Sequence, residues 1–193
     1  NAIDEQATVL TIGNGQDLDV VKIDTYAYLD NEIVAVKAIN LVAGTVTVDR
    51  GVLDTVPAPH LAAARIWFAD ALEVLITEQY LSGESLQVKM LPATGLGRLA
   101  ESAAPADNYT FAGRMIRPYP PGNVKVNNVM WPTVTLGQIA LTWSHRDRMQ
   151  QTVYLVAQTE ANIGPEAGTT YTVRVYNENN GLQKTVTGLA TTA

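Results

Sequence analysis

The sequence predicts an all-β protein, and its composition and the periodicity of its apolar residues both support this fold class. Hydrophobic residues make up 47% of the 193 residues and charged residues only 17%, below the roughly 25% expected of soluble domains. Short runs rich in valine and threonine alternate between apolar and other positions, which is the period of a half-buried strand. We therefore expect sheets throughout the chain, in two units that meet near residue 117.

The clearest local signal is a β-hairpin in the first unit, residues 3–116. Asp30 and Asn31 separate the runs Tyr26–Leu29 and Glu32–Ile39, and both residue types tolerate the positive φ of a tight hairpin turn. Alternation along the second run predicts one face with Ile33, Ala35, Lys37 and Ile39, and an opposite face with Val34, Val36 and Ala38. Further strands are predicted at 8–12, 45–49, 65–68, 85–91 and 109–111, and a helical turn leading into a strand at 70–77.

An irregular loop, residues 50–60, separates two of these strands. It contains Gly51, Pro57 and Pro59 and has no alternating pattern. Loops of this length inside compact domains are usually functional or shaped around a ligand. The loop is therefore the first place to look for chemistry.

A proline-rich segment divides the chain. Pro118, Pro120, Pro121 and Gly122 fall within five positions. Because each proline fixes its φ and lacks an N–H donor, the segment cannot continue a helix or pair as a central strand. We predict a semi-rigid seam between residues 3–116 and 117–193.

The second unit, residues 117–193, begins with strands predicted at 124–126 and 139–143 and continues with a hairpin formed by 171–176 and 182–186. Trp143, Tyr171 and Val173 are the predicted core residues, and 152–158 is a further candidate strand. The proline entry, the tryptophan on the second strand and the Tyr-X-Val-X-Val run resemble the start of a fibronectin type III or immunoglobulin-like sandwich. Because that fold needs about seven strands, we expect an incomplete sandwich whose missing strands lie beyond Ala193, with an edge that another copy could cover.

Charge and composition exclude several classes of function. The net charge is −6, and no cluster of Lys and Arg offers the basic patch that nucleic-acid binding requires. The chain has no cysteine, which rules out disulfides, thiolate metal sites and cysteine nucleophiles. No apolar run approaches the length of a membrane-spanning helix, so no membrane insertion is expected.

Three patterns resemble catalytic or ligand-binding motifs without meeting their requirements. The residues from Gly95 to Ala100 have dinucleotide-turn spacing but precede no helix long enough to bind a phosphate. Ser144, His145 and Asp147 are too close in an extended segment to converge as a triad, and we interpret this segment as a solvated or salt-bridged strand end. Asp17 and Asp19 lack further ligands at calcium-loop spacing. We expect no catalytic residue, cofactor or metal, and hence no enzyme.

Two stretches of the first unit carry a resemblance to a known family. The run from Val48 to Thr55, followed by the run from His60 to Arg65, is similar to the "R-G-x-L-G-T … H-x-x-G" stretch of central tail-hub or tail-tip proteins of long-tailed phages, prophages and gene transfer agents. The segments 88–94, 117–123 and 141–148 resemble those that lead such proteins into a fibronectin-like repeat. Two positions depart from the pattern: Asp54 stands where a glycine is expected, and Ala63 or Ala64 stands where another glycine often occurs. The motif residues are Arg50, Gly51, Leu53, Thr55 and His60.

The resemblance implies a structural role. The motif residues of such proteins build β-domains that attach to the end of the tail tube and carry distal fibres or receptor-binding parts. It therefore implies that the partners are other tail proteins, that the full assembly is homo-oligomeric, and that the protein is made in the bacterial cytoplasm and located in the virion tail. The alternative is a bacterial surface adhesin or carbohydrate-binding module, since fibronectin-like sandwiches also occur there.

Overall fold

The protein is all-β. The computed structural model describes residues 1–70, 78–160 and 162–190, and all of its sheets are antiparallel. The chain forms two compact units, one made of Asn1–Leu72 with Pro118–Ala193 and the other of Glu73–Arg117. The predicted helical turn and strand at 70–77 fall almost entirely outside the described residues.

A five-stranded sheet is the main element of the larger unit. Its strands are β1 (Val9–Thr11), β2 (Tyr26–Leu29), β3 (Glu32–Asn40), β4 (Thr45–Asp49) and β5 (Ile66–Phe68), in the order β1-β4-β3-β2-β5. The predicted hairpin is present, with Leu29 opposite Glu32 across the Asp30–Asn31 turn. Asp30 has a φ of 49°, the left-handed conformation that its short polar side chain tolerates.

Both faces of this sheet are covered. On one face, valines of β3 and β4 that are at most 1% exposed pack with Ala27 and Leu29 of β2. On the other face, Ile33 and Ala35 pack with Val52 of the following loop and with Leu155 from the region after the seam. The loop 50–60 and the segment around residue 155 therefore lie on the same face of the sheet.

A bulge in β3 corrects one part of the predicted face pattern. The pairing of β3 with β4 shifts register between Val36 and Ala38, so the alternation reverses at that point. Ile39 consequently packs with the cluster of Val34 and Val36, although strict alternation placed it with Ile33 and Ala35.

Gly51 allows the first turn of the loop 50–60, and its replacement by alanine should destabilise the protein. Its φ is +59°, and a Cβ at this position would lie 2.5 Å from Cδ of Pro57. We expect Gly51→Ala to cost about 1–2 kcal/mol for the left-handed backbone and a further ~1–3 kcal/mol for the clash, measured by urea unfolding. Gly44→Ala is the matched control, because Gly44 has a φ of +62° but its nearest atom is 3.7 Å away. Equal losses for the two variants would contradict the steric part of this prediction.

The smaller unit, Glu73–Arg117, consists of two short hairpins. Strand β6 (Ser85–Lys89) pairs with β9 (Ala106–Thr110), and β7 (Ala93–Thr94) pairs with β8 (Gly97–Arg98). Two 3-10 turns lie at Glu101–Ala103 and Arg114–Ile116. Tyr80 stacks on Phe111 with ring centroids 4.5 Å apart. The Gly95–Ala100 stretch is thus the turn and second strand of a hairpin.

After the proline segment, the described residues form four strands in two antiparallel pairs. Strand β10 (Gly122–Val126) pairs with β11 (Leu141–Ser144), and β12 (Tyr171–Tyr176) pairs with β13 (Leu182–Leu189). The candidate strand at 152–158 is irregular backbone instead. Two separate hairpins do not establish a fibronectin-like sandwich, so that fold stays a prediction. The division into domains at 3–116 and 117–193 also stays a prediction. In the structure, residues on both sides of the seam pack into one compact unit.

Among the described residues, no helix has the length and apolar character that crossing a membrane requires.

Candidate functional site

A cluster of three buried ionisable side chains and one exposed carboxylate lies where the loop 50–60 meets the hairpin of β2 and β3. We call it the Glu32 cluster, and its members are Asp30, Glu32, Arg50 and His60. Glu32, Arg50 and His60 are 2%, 5% and 7% exposed. Buried charges are costly unless they are paired and hydrogen-bonded, so the contacts of each decide what the cluster does.

Glu32 and Arg50 form a two-pronged ion pair at the centre. Arg50 Nε donates to Glu32 Oε1 and Nη2 donates to Oε2, both at 2.7 Å. The remaining guanidinium donors reach the carbonyl oxygens of Asp4, Ala7 and Ala58 at 2.7–3.0 Å. All of the Arg50 nitrogens therefore have partners, and the side chain ties the N-terminal segment to the loop.

Glu32 also receives hydrogen bonds from the loop backbone. The amide of Gly51 donates to Oε1 at 2.9 Å, and the amide of Ala58 donates to Oε2 at 3.1 Å. These bonds close the loop onto the start of β3. Thr55 adds a neutral contact, since its Oγ1 accepts from the amide of Ile33 at 3.1 Å and donates to the carbonyl of Val52 at 2.8 Å.

His60 joins the two carboxylates of the cluster. Its Nδ1 lies 2.8 Å from Asp30 Oδ2, and its Nε2 lies 2.9 Å from Glu32 Oε2. Ionised carboxylates only accept hydrogen bonds, so both contacts form together when the ring carries a proton on each nitrogen. The backbone of His60 also bonds Ile3 in both directions, which fixes the end of the loop.

The pKa of Glu32 gives the cluster a pH dependence. Burial alone would raise this pKa, but hydrogen bonds from Arg50 and His60 and the charge of Arg50 outweigh it and hold the pKa below its usual value of 4.5. The Glu32 carboxylate therefore contributes stability that is present above the pKa of the unfolded chain and is lost as the pH falls through the folded pKa. We expect the wild type to be more stable than Glu32→Gln at pH 7, and the difference to shrink progressively below about pH 4.5. Urea unfolding of both proteins between pH 7 and pH 3 measures it, and a difference that grows on acidification would contradict the assignment.

A second buried cation, Arg146, connects the loop 50–60 with the region after the seam. It is 3% exposed, and its Nη1 donates to the carbonyl of Gly51 at 3.1 Å. Its Nη2 donates to the carbonyl of Val156 at 3.0 Å, and its guanidinium carbon lies 5.3 Å from the ring centre of Tyr119. Its hydrogen-bond partners among the described residues are neutral carbonyl and amide oxygens, and its Nε has no partner there. Burial lowers the pKa of Arg146.

Gln158 completes this contact. Its amide donates to the carbonyl of Arg50 at 3.0 Å, and its side chain donates to the carbonyl of Pro121 at 2.8 Å. Its carbonyl accepts from Asn123 at 2.6 Å. Gln158 thus links the loop 50–60, the proline segment and the start of β10.

The motif residues named from the sequence converge on these contacts. Arg50, Gly51, Thr55 and His60 surround Glu32, and Leu53 packs on the face that holds Ile33 and Val52. Glu32 was not singled out from the sequence. A carboxylate two positions after Asp30, at the start of an apolar strand, is the signal that could have identified it, since such a position needs a cationic partner.

The seam and predicted core residues meet in a groove. Pro118, Pro120 and Pro121 line it together with Trp143, Tyr171 and Val173, and Gly122 is buried at the start of β10. Trp143 is 6% exposed, and its ring centre lies 5.3 Å from that of Tyr171.

The segment 144–148 is buried to a greater extent than the sequence suggested. Ser144, His145 and Asp147 are 9%, 7% and 4% exposed, so the solvated alternative is wrong for these residues. The salt-bridged alternative holds for Arg148, whose Nε lies 2.9 Å from Glu166 Oε2. His145 Nδ1 contacts the hydroxyl of Tyr171 at 2.8 Å, while the Asp147 carboxylate accepts from the amide of Met149 and the side chain of Gln150. The side chains of His145 and Asp147 therefore serve separate hydrogen bonds.

Within residues 1–70, 78–160 and 162–190, no group of three or more His, Cys, Asp or Glu side chains could hold a metal ion. Comparison of the sequence with models of known protein families and with curated proteins finds no match in either.

Proposed function

We propose that the chain is a structural component of a phage or prophage tail tip or hub, linking the tail to distal fibre or receptor-binding parts. The observation that carries the proposal is how the tail-hub-like motif is used. The polar groups of the motif form hydrogen bonds within the fold. Those of Arg50, Gly51 and His60 contact Glu32. His60 also contacts Asp30, and Thr55 bonds the backbone of Ile33. A motif used in this way builds a rigid loop, and such a structural, non-catalytic use of these residues fits what the resemblance implies.

Rigidity of the loop suits a part that transmits force between larger assemblies. The Glu32 cluster and the Gln158 contacts connect the N-terminal segment, the sheet, the loop and the proline segment. Each connection is a hydrogen bond with at least one buried partner, and breaking one where water cannot replace it leaves an unsatisfied polar group at a cost of about 1–3 kcal/mol. In the proposed role, partner tail proteins attach to surfaces outside this junction.

Immunogold labelling of induced phage particles tests the proposal. An antibody raised against this chain should label the distal end of the tail, and particles from a strain lacking the gene should carry no label. Bare particles together with label on the bacterial surface would overturn the tail role and favour the adhesin.

One observation favours the second candidate, a carbohydrate-binding or adhesive module. Trp67 of β5 is 63% exposed and lies directly opposite the half-buried Tyr28 of β2. An exposed indole ring suits stacking against a sugar. Glycan-array binding that is lost in Trp67→Ala and retained in Val42→Ala, another exposed apolar residue, would support this candidate.

A further inference from the structure

A groove of about 510 Å³ lies beside strand β12. Its apolar lining includes Val124 of β10, Leu141 and Trp143 of β11, and Tyr119 of the proline segment. Trp143 is buried and Tyr171 and Val173 are half-buried, so the groove has an aromatic and aliphatic surface that is open to solvent.

The groove runs along the edge of β12 rather than over one of its faces. All six consecutive residues from Thr169 to Arg174 line it. Side chains alternate between the two faces of a strand, so a groove that touches every residue in turn follows the backbone.

This edge of β12 has unused hydrogen-bonding groups. Within the described part of the chain, β13 is the strand that pairs with β12, and a strand with one neighbour directs the N–H and C=O of every second residue away from it. The prolines at 118, 120 and 121 also line the groove, and they have no N–H to offer that edge.

The residues on the two faces of β12 indicate which kind of segment would fit. Tyr171 and Val173 share the face that meets Trp143, whereas Arg174 points to the opposite face. Arg174 is the charged residue of the groove lining, and the described chain places no carboxylate within ion-pair distance of it. An added strand would therefore present apolar side chains to Trp143 and alternate polar or acidic side chains on the face of Arg174.

We propose that the groove receives a single extended segment of another protein, added as a strand to the open edge of β12, with alternating apolar and acidic residues. Main-chain hydrogen bonds supply the affinity of such strand addition, and pockets for alternate side chains supply its specificity. A second copy of this chain is a poorer donor, because β4, the strand among its described residues that alternates valine with threonine and aspartate, already has a neighbour on each side. This inference goes beyond the proposed tail role and does not depend on it.

A synthetic peptide distinguishes backbone pairing from side-chain contact. The probe is an acetylated, amidated hexapeptide in which valine alternates with threonine and glutamate, and two variants carry N-methyl groups on one or the other alternate set of amides. In strand addition only one set faces β12, so we expect one variant to bind as the parent does and the other at least about tenfold more weakly. Calorimetric titration measures the affinities. Absence of binding by the parent at ~1 mM, or equal effects of the two methylation patterns, would overturn strand addition.

A charge reversal tests the position of the segment. Arg174→Glu should weaken the glutamate peptide and restore binding to a peptide with lysine in its place. Lys184→Glu on the neighbouring strand β13 makes the same charge change outside the groove lining and should leave both affinities unchanged. Equal effects of the two variants would contradict a role for Arg174.

If the chain alone forms oligomers that the peptide dissociates, the occupant is a second copy, and the assignment to another protein is wrong.

Discussion

Glu32→Ala should lower the free energy of unfolding by about 3–5 kcal/mol, because removing one partner of a buried ion pair leaves the other charge uncompensated. Arg50, which is 5% exposed in the wild type, would be left with no carboxylate for its Nε and Nη2. The amides of Gly51 and Ala58 and one nitrogen of His60 would also lose their acceptor. Urea unfolding at pH 7, followed by far-UV circular dichroism, measures the change.

The matched control is an ion pair on the same sheet that is exposed to solvent. Lys37 Nζ lies 2.6 Å from Asp24 Oδ1, and the two side chains are 39% and 65% exposed. Exposed pairs contribute about 0–1 kcal/mol, so Asp24→Ala should change stability little. A loss for Glu32→Ala as small as that for Asp24→Ala would show that the cluster is hydrated and would remove the basis for a rigid junction.

Replacing both members of the Glu32–Arg50 ion pair leads to a further prediction. Glu32→Leu combined with Arg50→Met removes both charges, and apolar replacement of a buried pair is often close to neutral. Here the carbonyls of Asp4, Ala7 and Ala58 would lose their donors. We therefore expect the double variant to be less stable than the wild type but more stable than Glu32→Ala, and a double-mutant cycle would give the coupling between the two side chains.

The local elements of the sheet were predictable because each follows from neighbours in sequence. The Asp30–Asn31 turn fixes the hairpin, and the alternation of Val46 and Val48 places both side chains in the core, where they are at most 1% exposed. The bulge after Val36 was not predictable in the same way. It depends on how β3 pairs with β4, and no residue type between Val36 and Ala38 marks it.

The Glu32 cluster was only half predictable. The motif pointed to Arg50 and His60, but their common partner lies 18 and 28 residues away in the chain. Such convergence depends on the strand order, which brings the end of β4 beside the start of β3. Arg146 was missed for a related reason, since a charged residue in a polar run predicts exposure unless the carbonyls of Gly51 and Val156 are known to surround it.

Trp143→Ala should cost about 3–5 kcal/mol, the usual loss for truncating a buried aromatic side chain. Trp143 is 6% exposed and packs against Tyr171. Trp143→Phe is the control, because it keeps an aromatic ring and removes Nε1, a buried donor with no partner among the described atoms. We expect Phe to retain most of the stability, and equal losses for Ala and Phe would contradict a packing role.

The Trp143→Ala variant also tests whether the two units predicted from the sequence fold independently. If residues 3–116 and 117–193 folded independently, the five-stranded sheet would keep its midpoint when Trp143 is removed. The contacts favour a shared transition, because Leu155 packs on Ile33 and Val52, and Gln158 bonds the carbonyl of Arg50. Hydrogen exchange of Val34 and of Val173 in increasing urea measures the two regions separately. We expect both amides to lose protection together in Trp143→Ala, whereas unchanged protection at Val34 would establish two independent domains.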